Sequence, residues 1–293
     1  MSKELVSALI QLGAERGIDR AAVLQAAEES YAIALNRRHA AADIHVRLDP
    51  ESGAMRVFRA RKVVEEVLVP GAEWTVAEAV AAKPDAAVGD LIELQEMDAE
   101  MGRIVAAQAR QALQQRLIQI QRDLIMQSFA ERTGEILTGV VMRVDRRNLV
   151  LDVGKAEAYL PATEQSQLDT FRIGENVKAL LLEVRTTVRG PEILLTRTHK
   201  NFVKKLFELE VPELTAGTVE ISSIAREPGS RTKMVVASKQ VGLDPVGAVV
   251  GQRGSRVQAV VEDLGGEKID IIAHTDDPAE AIARALSPAT VVS

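Results

Sequence analysis

Near the C-terminus of this 293-residue chain, Gly251-Gln252-Arg253-Gly254 combines residue types and a spacing suited to holding a phosphate. Glycines at both ends leave no Cβ in the way of a sugar-phosphate backbone running past a turn. Asp244-Pro245 before the loop is an N-cap followed by proline at the first helical position. After it, Ser255 can cap a second helix carrying Val257, Val260, Val261 and Leu264 at i, i+3, i+4 and i+7. The first amides of that helix point towards the loop with a partial charge that favours phosphate. Between positions 226 and 256, Arg226, Arg231, Lys233, Lys239, Arg253 and Arg256 face only Glu227 and Asp244, six cations against two anions. The candidate contact set is Gly251, Gln252, Arg253, Gly254, Ser255, Arg256, Arg231 and Lys233. With 19 glycines in the chain, about one such pair arises by chance, so the weight rests on the flanking helices and the local charge. On local pattern alone, an ordinary glycine turn between two helices stays open.

No other constellation supports a reaction. The histidines at 39, 45, 199 and 274 are scattered over different elements, and His39 and His45 lack metal-site spacing. Glu93, Glu96, Asp98 and Glu100 form an acidic run, but no partner carboxylates complete a metal site, and a solvated loop is the better reading. Phosphate-loop, nucleophile-elbow and dinucleotide fingerprints are absent. The expectation is a protein without catalytic, cofactor-binding or metal-ligating residues.

The elements that must position the loop follow from periodicity. Residues 3–12 read as a helix, with Gly13 and Gly17 bracketing the connection after it. Asp19 caps a helix with Val23, Ala26, Ala27, Tyr31, Ala34 and Leu35 on one face, and Tyr31 and Trp74 read as packing residues. Ile44, Val46 and Leu48 alternate, residues 49–53 form a turn, and Met55, Val57, Val63-Val64, Val67-Leu68 and 91–94 suggest further strand. Residues 103–132 contain neither Gly nor Pro and repeat apolar positions every three or four. They read as one amphipathic helix, on the order of 45 Å long.

From 134 to 197 the period is two. Segments 136–144, 148–153, 157–160, 176–184 and 192–196 read as five strands separated by turn chemistry at Arg146-Arg147-Asn148, Pro161, Gly174 and Arg189-Gly190-Pro191. That scale suits an OB-type barrel, although other small barrels share it. Arg143, Arg146, Arg147 and Lys155 could meet phosphates or simply be solvated. Tyr159 and Phe171 are the only rings, few for a stacking platform. From 199 the order is helix, hairpin with a turn at 227–230, two helices around the glycine loop, and a strand at 269–272. Asp277-Pro278-Ala279-Glu280 then starts a last helix with a reciprocal acidic group.

Bulk properties bound the rest. The net charge of −6 excludes a polyelectrolyte that binds duplexes through general positive charge, so any nucleic-acid contact is local. No cysteine means no disulfide framework and no thiolate metal site. Neither a membrane span nor a secretory signal is visible, which fits a cytoplasmic protein.

The segment 244–270, DPVGAVVGQRGSRVQAVVEDLGGEKID, together with Pro228-Gly229-Ser230-Arg231, Gly139-Val140-Val141, residues 174–177 and Gly102-Arg103-Ile104, resembles the NusA family of bacterial transcription elongation and termination factors. The resemblance spans the whole chain. It implies a multidomain α+β protein: an α+β head with a long connecting helix (1–132), an S1 five-stranded OB-type barrel (133–198), and a prokaryotic-type KH domain of order αββααβ (199–293). KH modules clamp single-stranded nucleic acid with such a loop. The implied partners are RNA polymerase through 1–132, nascent single-stranded RNA through KH and S1, and other elongation or antitermination factors. The implied state is a monomer. The family continues into a second KH domain where this sequence ends, so the resemblance implies half of an RNA platform. Two further readings differ in class. RNA-degrading enzymes such as polynucleotide phosphorylase also carry these modules, but place KH before S1 behind a large catalytic core. A ribosome-associated RNA-binding protein would lack the docking head.

Overall fold

The computed structural model describes residues 3–38, 43–69, 72–96, 103–188 and 190–289. His39, Asp98, Glu100 and Arg189 lie outside the described residues. The chain forms two compact units, Met1–Leu124 and Ile125–Ser293.

In the first unit, α1 (Lys3–Glu15) and α2 (Arg20–Arg38) precede a sheet of β1 (Asp43–Leu48), β2 (Met55–Val64), β3 (Glu73–Thr75) and β4 (Leu91–Glu96), with α3 (Val76–Val80) after β3 and α4 (Arg103–Ala130) after β4. Asp19 accepts the Ala21 amide at 2.9 Å and so starts α2 as its spacing predicts. Gly13 lies inside α1 and not in the connection. A Cβ there would sit 2.3 Å from a Val23 methyl, so glycine permits the close approach of α1 to α2. Val23, Ala26 and Ala27 pack with Leu113 and Leu117 of α4, and Ala34 and Leu35 with Val105 and Ala109. β2 pairs antiparallel with β1 and β4 and parallel with β3. Val67-Leu68 is not strand: the Glu73 carboxylate accepts the amides of Leu68 (2.7 Å) and Val69 (2.8 Å), which removes them from any ladder. Trp74 is partly buried beside Val63, Ala79 and Ile92, with the Arg61 guanidinium 5.0 Å from its ring centroid.

The second unit starts with a closed barrel. Strands β5 (Ile136–Asp145), β6 (Asn148–Asp152), β7 (Glu157–Leu160), β8 (Asn176–Thr187) and β9 (Gly190–Thr196) close in the order β5-β6-β7-β9-β8. Inward residues alternate along each strand, and Leu137, Val141, Leu149, Leu151, Leu160, Leu181, Ile193 and Leu195 form the core with Phe129 from the end of α4. Next come α5 (Lys200–Glu210), α6 (Pro212–Thr215), β10 (Val219–Glu227), β11 (Arg231–Ser238), α7 (Pro245–Val250), α8 (Ser255–Asp263), β12 (Lys268–Ala273) and α9 (Pro278–Leu286). β11 is central, antiparallel to β10 and parallel to β12. Thr232, Met234 and Val236 are buried, the latter two in one core with Val249 of α7, Val260 of α8 and Phe202 and Phe207 of α5. Asp277 caps α9 through the Ala279 amide as expected, but Glu280 turns to Thr275 and Arg284 instead of closing a capping box.

The barrel and the αββααβ part are joined through Arg197. This arginine is buried and forms a two-pronged pair with Asp169 (3.0 and 2.8 Å). It also donates to the carbonyls of Lys178 in the barrel and Asp263 at the end of α8. Its guanidinium lies 5.0 Å from the rings of both Phe171 and Phe202. Lys178 adds a 2.8 Å bond to the Asp263 carboxylate.

Candidate nucleic-acid interface

Two short helices present the glycine loop, and its backbone turns left-handed almost throughout. Asp244 caps α7 by accepting the Val246 amide at 3.0 Å. Gly251 then takes φ 75°, Arg253 φ 53° and ψ 26°, and Gly254 φ 80°. Glycine tolerates these values, whereas arginine at φ 53° carries strain of about 1–2 kcal/mol. Ser255 does not cap α8. It is already helical at φ −60°, ψ −40°, and Gly254 occupies the cap position with no side-chain bond to the helix. The first-turn amides of α8 are therefore left without a side-chain acceptor. Gln252, Arg253 and Ser255 are exposed, while Arg256 is half-buried.

The basic patch read from positions 226–256 is largely neutralised by acids from outside that window. Arg226 is buried and grips Glu267 with Nε–Oε1 and Nη2–Oε2 bonds of 2.9 Å each. Arg231 and Lys233 share Asp270 at 3.1 and 3.5 Å. Lys239 pairs with Glu220 at 2.7 Å, and Arg256 with Glu213 at 2.9 Å. Arg253 is the one residue of the six without an ion pair among the described residues.

The structure divides the candidate set between two faces. Arg231 and Lys233 alternate with the inward Thr232 and Met234, so they lie on the sheet face opposite α7 and α8. There the Lys233 ammonium donates to the carbonyls of Ala285 (2.6 Å) and Ser287 (2.8 Å) at the end of α9. The structure brings Gly251, Gln252, Arg253, Gly254, Ser255 and Arg256 together, and leaves Arg231 and Lys233 apart from them.

Glu267 was not singled out from the sequence, yet it is the fully buried anchor of the hairpin. Burial alone would raise its carboxyl. The Arg226 guanidinium, the Thr232 hydroxyl and the Gly229 amide outweigh that and hold it below its usual range.

On the barrel, Arg146 (φ 47°) and Arg147 (φ 71°) form the β5–β6 turn in the left-handed region that asparagine and glycine prefer. Beside them Val140, Met142 and Val144 are exposed on the outer face of β5. A cleft of about 310 Å³ lined by Val144, Arg147, Gln165, Phe171 and Arg172 opens next to the turn. Phe171, one of the two barrel rings, is partly buried against the barrel core and stacked on Arg197, which restricts its use as a platform.

Two further polar candidates have structural partners. Glu93 of the acidic run, on β4, binds His45 and Arg47 of β1. The His199 ring accepts the Asn201 amide at the start of α5. Among the described residues, no group of three or more His, Asp or Glu side chains could hold a metal ion, and no helix is long and apolar enough to cross a membrane.

Three family models match in sequence order. Residues 4–123 match the NusA N-terminal domain, 131–195 the S1 RNA binding domain, and 197–274 the NusA-like first KH domain. Curated relatives called transcription termination/antitermination protein NusA align over the whole chain. The protein from Halalkalibacterium halodurans is 41% identical over 293 residues, which cover 77% of its own length. That from Bacillus subtilis is 40% identical, with 79% of its length covered, and that from Thermus thermophilus is 39% identical, with 79% covered. With each of the three modules matched in order and the glycine loop held between two helices, the chain belongs to the NusA family of transcription termination/antitermination proteins.

Proposed function

We propose that this protein binds nascent single-stranded RNA through its KH loop and barrel surface while residues 1–132 hold RNA polymerase, and that it thereby modulates pausing, termination and antitermination. The S1 and KH segments of the proposal are 133–198 and 199–293. The observation that supports it best is the loop itself. Arg253 is exposed and without an ion pair among the described residues, at φ 53°, between glycines that leave the backbone open, just before α8. Strain kept at an exposed residue is a reason to look for function there.

On this reading Gly251, Gln252, Arg253, Gly254 and Ser255 face the RNA backbone. The Arg146-Arg147 turn supplies a second, phosphate-facing contact on the barrel. Arg231 and Lys233 take no part, because they lie on the far face of the sheet with Asp270. The effect is a population shift: the complex that holds RNA in one arrangement is favoured over the alternatives, and no bond is made or broken. A monomer acting in the cytoplasm, with other elongation or antitermination factors as further partners, completes the proposal.

The test is transcription by RNA polymerase on a template with a hairpin pause, with and without the protein. A change in pause duration that is lost with Gln252→Asp/Arg253→Asp supports the reading. An unchanged pause at saturating protein refutes it.

A further inference from the structure

We infer that Arg256 is a positioning residue that braces the glycine loop, and not a phosphate ligand. The inference rests on the RNA-binding reading above and assigns roles within that site. Although Arg253 and Arg256 are only three positions apart, the structure treats them differently. Arg253 is exposed and has no ion pair among the described residues, whereas the Arg256 side chain turns back across the loop. Its Nη1 donates to Glu213 Oε2 at 2.9 Å and also to the carbonyl of Ala248. Its stem covers Gly251 so closely that a Cβ on that residue would lie 2.7 Å from Arg256 Cγ.

Each end of the brace has a physical reason. Ala248 lies in the last turn of α7, where carbonyls have no partner within the helix and a cation is favoured. Arg256 therefore caps α7 from α8, linking the two helices that flank the loop. Glu213 is itself held in place at the start of α6, and its own amide, together with the Arg256 bond, keeps its carboxyl below the usual range despite some burial. It stays negative at neutral pH. A phosphate taking Arg256 would have to displace both acceptors and approach the Glu213 charge, while Arg253 can take one at no such cost. Gly251 then has two functions: its left-handed backbone turns the chain, and its missing side chain admits the brace.

Removing the Glu213 charge separates the alternatives. If Arg256 were a phosphate ligand, Glu213→Gln would free it and tighten RNA binding; if Arg256 is a brace, the same change loosens the loop and weakens binding. The experiment compares the full chain with Glu213→Gln, Arg256→Gln, Arg256→Lys and Arg253→Gln. One readout is amide exchange of residues 252–254 without RNA. The other is binding of a fluorescein-labelled, unstructured single-stranded RNA across a salt series. Far-UV circular dichroism and melting confirm that each variant is folded.

The expected result is that Glu213→Gln and both Arg256 variants exchange the loop amides about tenfold faster and bind RNA about threefold more weakly. Arg256→Gln keeps the wild-type salt slope, whereas Arg253→Gln lowers it by about 0.7, one released counterion on a single strand. Tighter binding by Glu213→Gln overturns the inference. So does an Arg256→Gln slope that falls as far as that of Arg253→Gln, or unchanged amide exchange. If the wild-type chain binds no RNA, the RNA-binding reading fails, and the exchange rates still decide whether Arg256 braces the loop.

Discussion

Replacing Glu267 with glutamine keeps the shape of the side chain and removes its charge, leaving the buried Arg226 guanidinium without a counter-charge. The pair is 2% and 0% exposed, and Glu267 accepts four bonds of 2.5–2.9 Å, from Arg226 Nε and Nη2, the Thr232 hydroxyl and the Gly229 amide. Breaking one side of a buried pair costs about 3–5 kcal/mol. Glutamine can still accept one or two of those bonds, which puts the expected loss near the lower end, about 3 kcal/mol. For a unit of this size each kcal/mol lowers the melting temperature by about 2–4 °C, so the shift should be about 6–12 °C.

The chain contains one tryptophan, Trp74, and it lies in the first unit. Trp74 fluorescence therefore reports that unit, while far-UV circular dichroism reports both. Glu267→Gln should lower the transition seen by circular dichroism and leave the tryptophan transition in place. The loss should also depend on pH. The folded carboxyl is held below its ordinary 4.5, so its stabilisation is complete above that pH and disappears as the pH falls through the lowered folded value. Wild type and variant should thus converge in acid. A loss below about 1 kcal/mol at neutral pH would refute the energetic argument, as would a gap that stays constant down to pH 2 or an equal shift in the tryptophan transition.

Arg253→Gly should relieve the left-handed strain and leave the unfolding free energy equal or higher by up to about 1 kcal/mol, while RNA affinity measured by fluorescence anisotropy falls. Gly251→Ala should do worse on both counts, because φ 75° and the 2.7 Å approach to Arg256 are both violated; a melting temperature equal to wild type would contradict the packing. Gly139→Ala would place a methyl 2.9 Å from the Asp152 carbonyl inside the barrel and should cost about 1–3 kcal/mol by urea denaturation. Asp169→Asn should expose the joint between barrel and KH part, which faster amide exchange at Asp263 and Leu264 would reveal, with the β5–β6 ladder unchanged.

Most of the framework was legible because it rests on local rules. Alternation at Leu149 and Leu151, or Ile193 and Leu195, marks strands with one buried face, and both sets are in the barrel core. Asp19, Asp244 and Asp277 mark helix starts because short acidic side chains reach their own helix amides, and each one does. Charge pairing was not legible. Glu213, Glu220, Glu267 and Asp270 lie outside the window in which the cations cluster, and only the tertiary fold brings them to Arg256, Lys239, Arg226, Arg231 and Lys233. The left-handed turns at Arg146, Arg147 and Arg253 were hidden for a related reason. Arginine is a poor resident of that region, so propensity points away from it. The same holds for Arg197, whose single position in the sequence shows nothing of the two carbonyls, the aspartate and the two rings it joins.

The charge pairing bears directly on how such a protein can hold RNA. A chain of net charge −6 with most of its KH cations paired cannot rely on electrostatic attraction over a distance. Its loop offers one guanidinium, that of Arg253, with no ion pair among the described residues, and the start of a helix; a contact that releases about one counterion is weak and only mildly salt-dependent. On the proposed reading that weakness fits the rest of the molecule. RNA emerging from a polymerase held by the first unit is present at high effective concentration, so a weak contact suffices to bias its path. A tight, strongly cationic loop would instead hold unrelated RNA and keep the protein off polymerase. The expected behaviour follows: Arg253→Gln should shorten the effect on a pause much more at low protein occupancy of polymerase than at saturation. Adding a cation at the loop by Gln252→Lys should strengthen binding to free RNA without a matching gain in pause duration. A proportional gain in both would show that the loop works alone and that tethering plays no part.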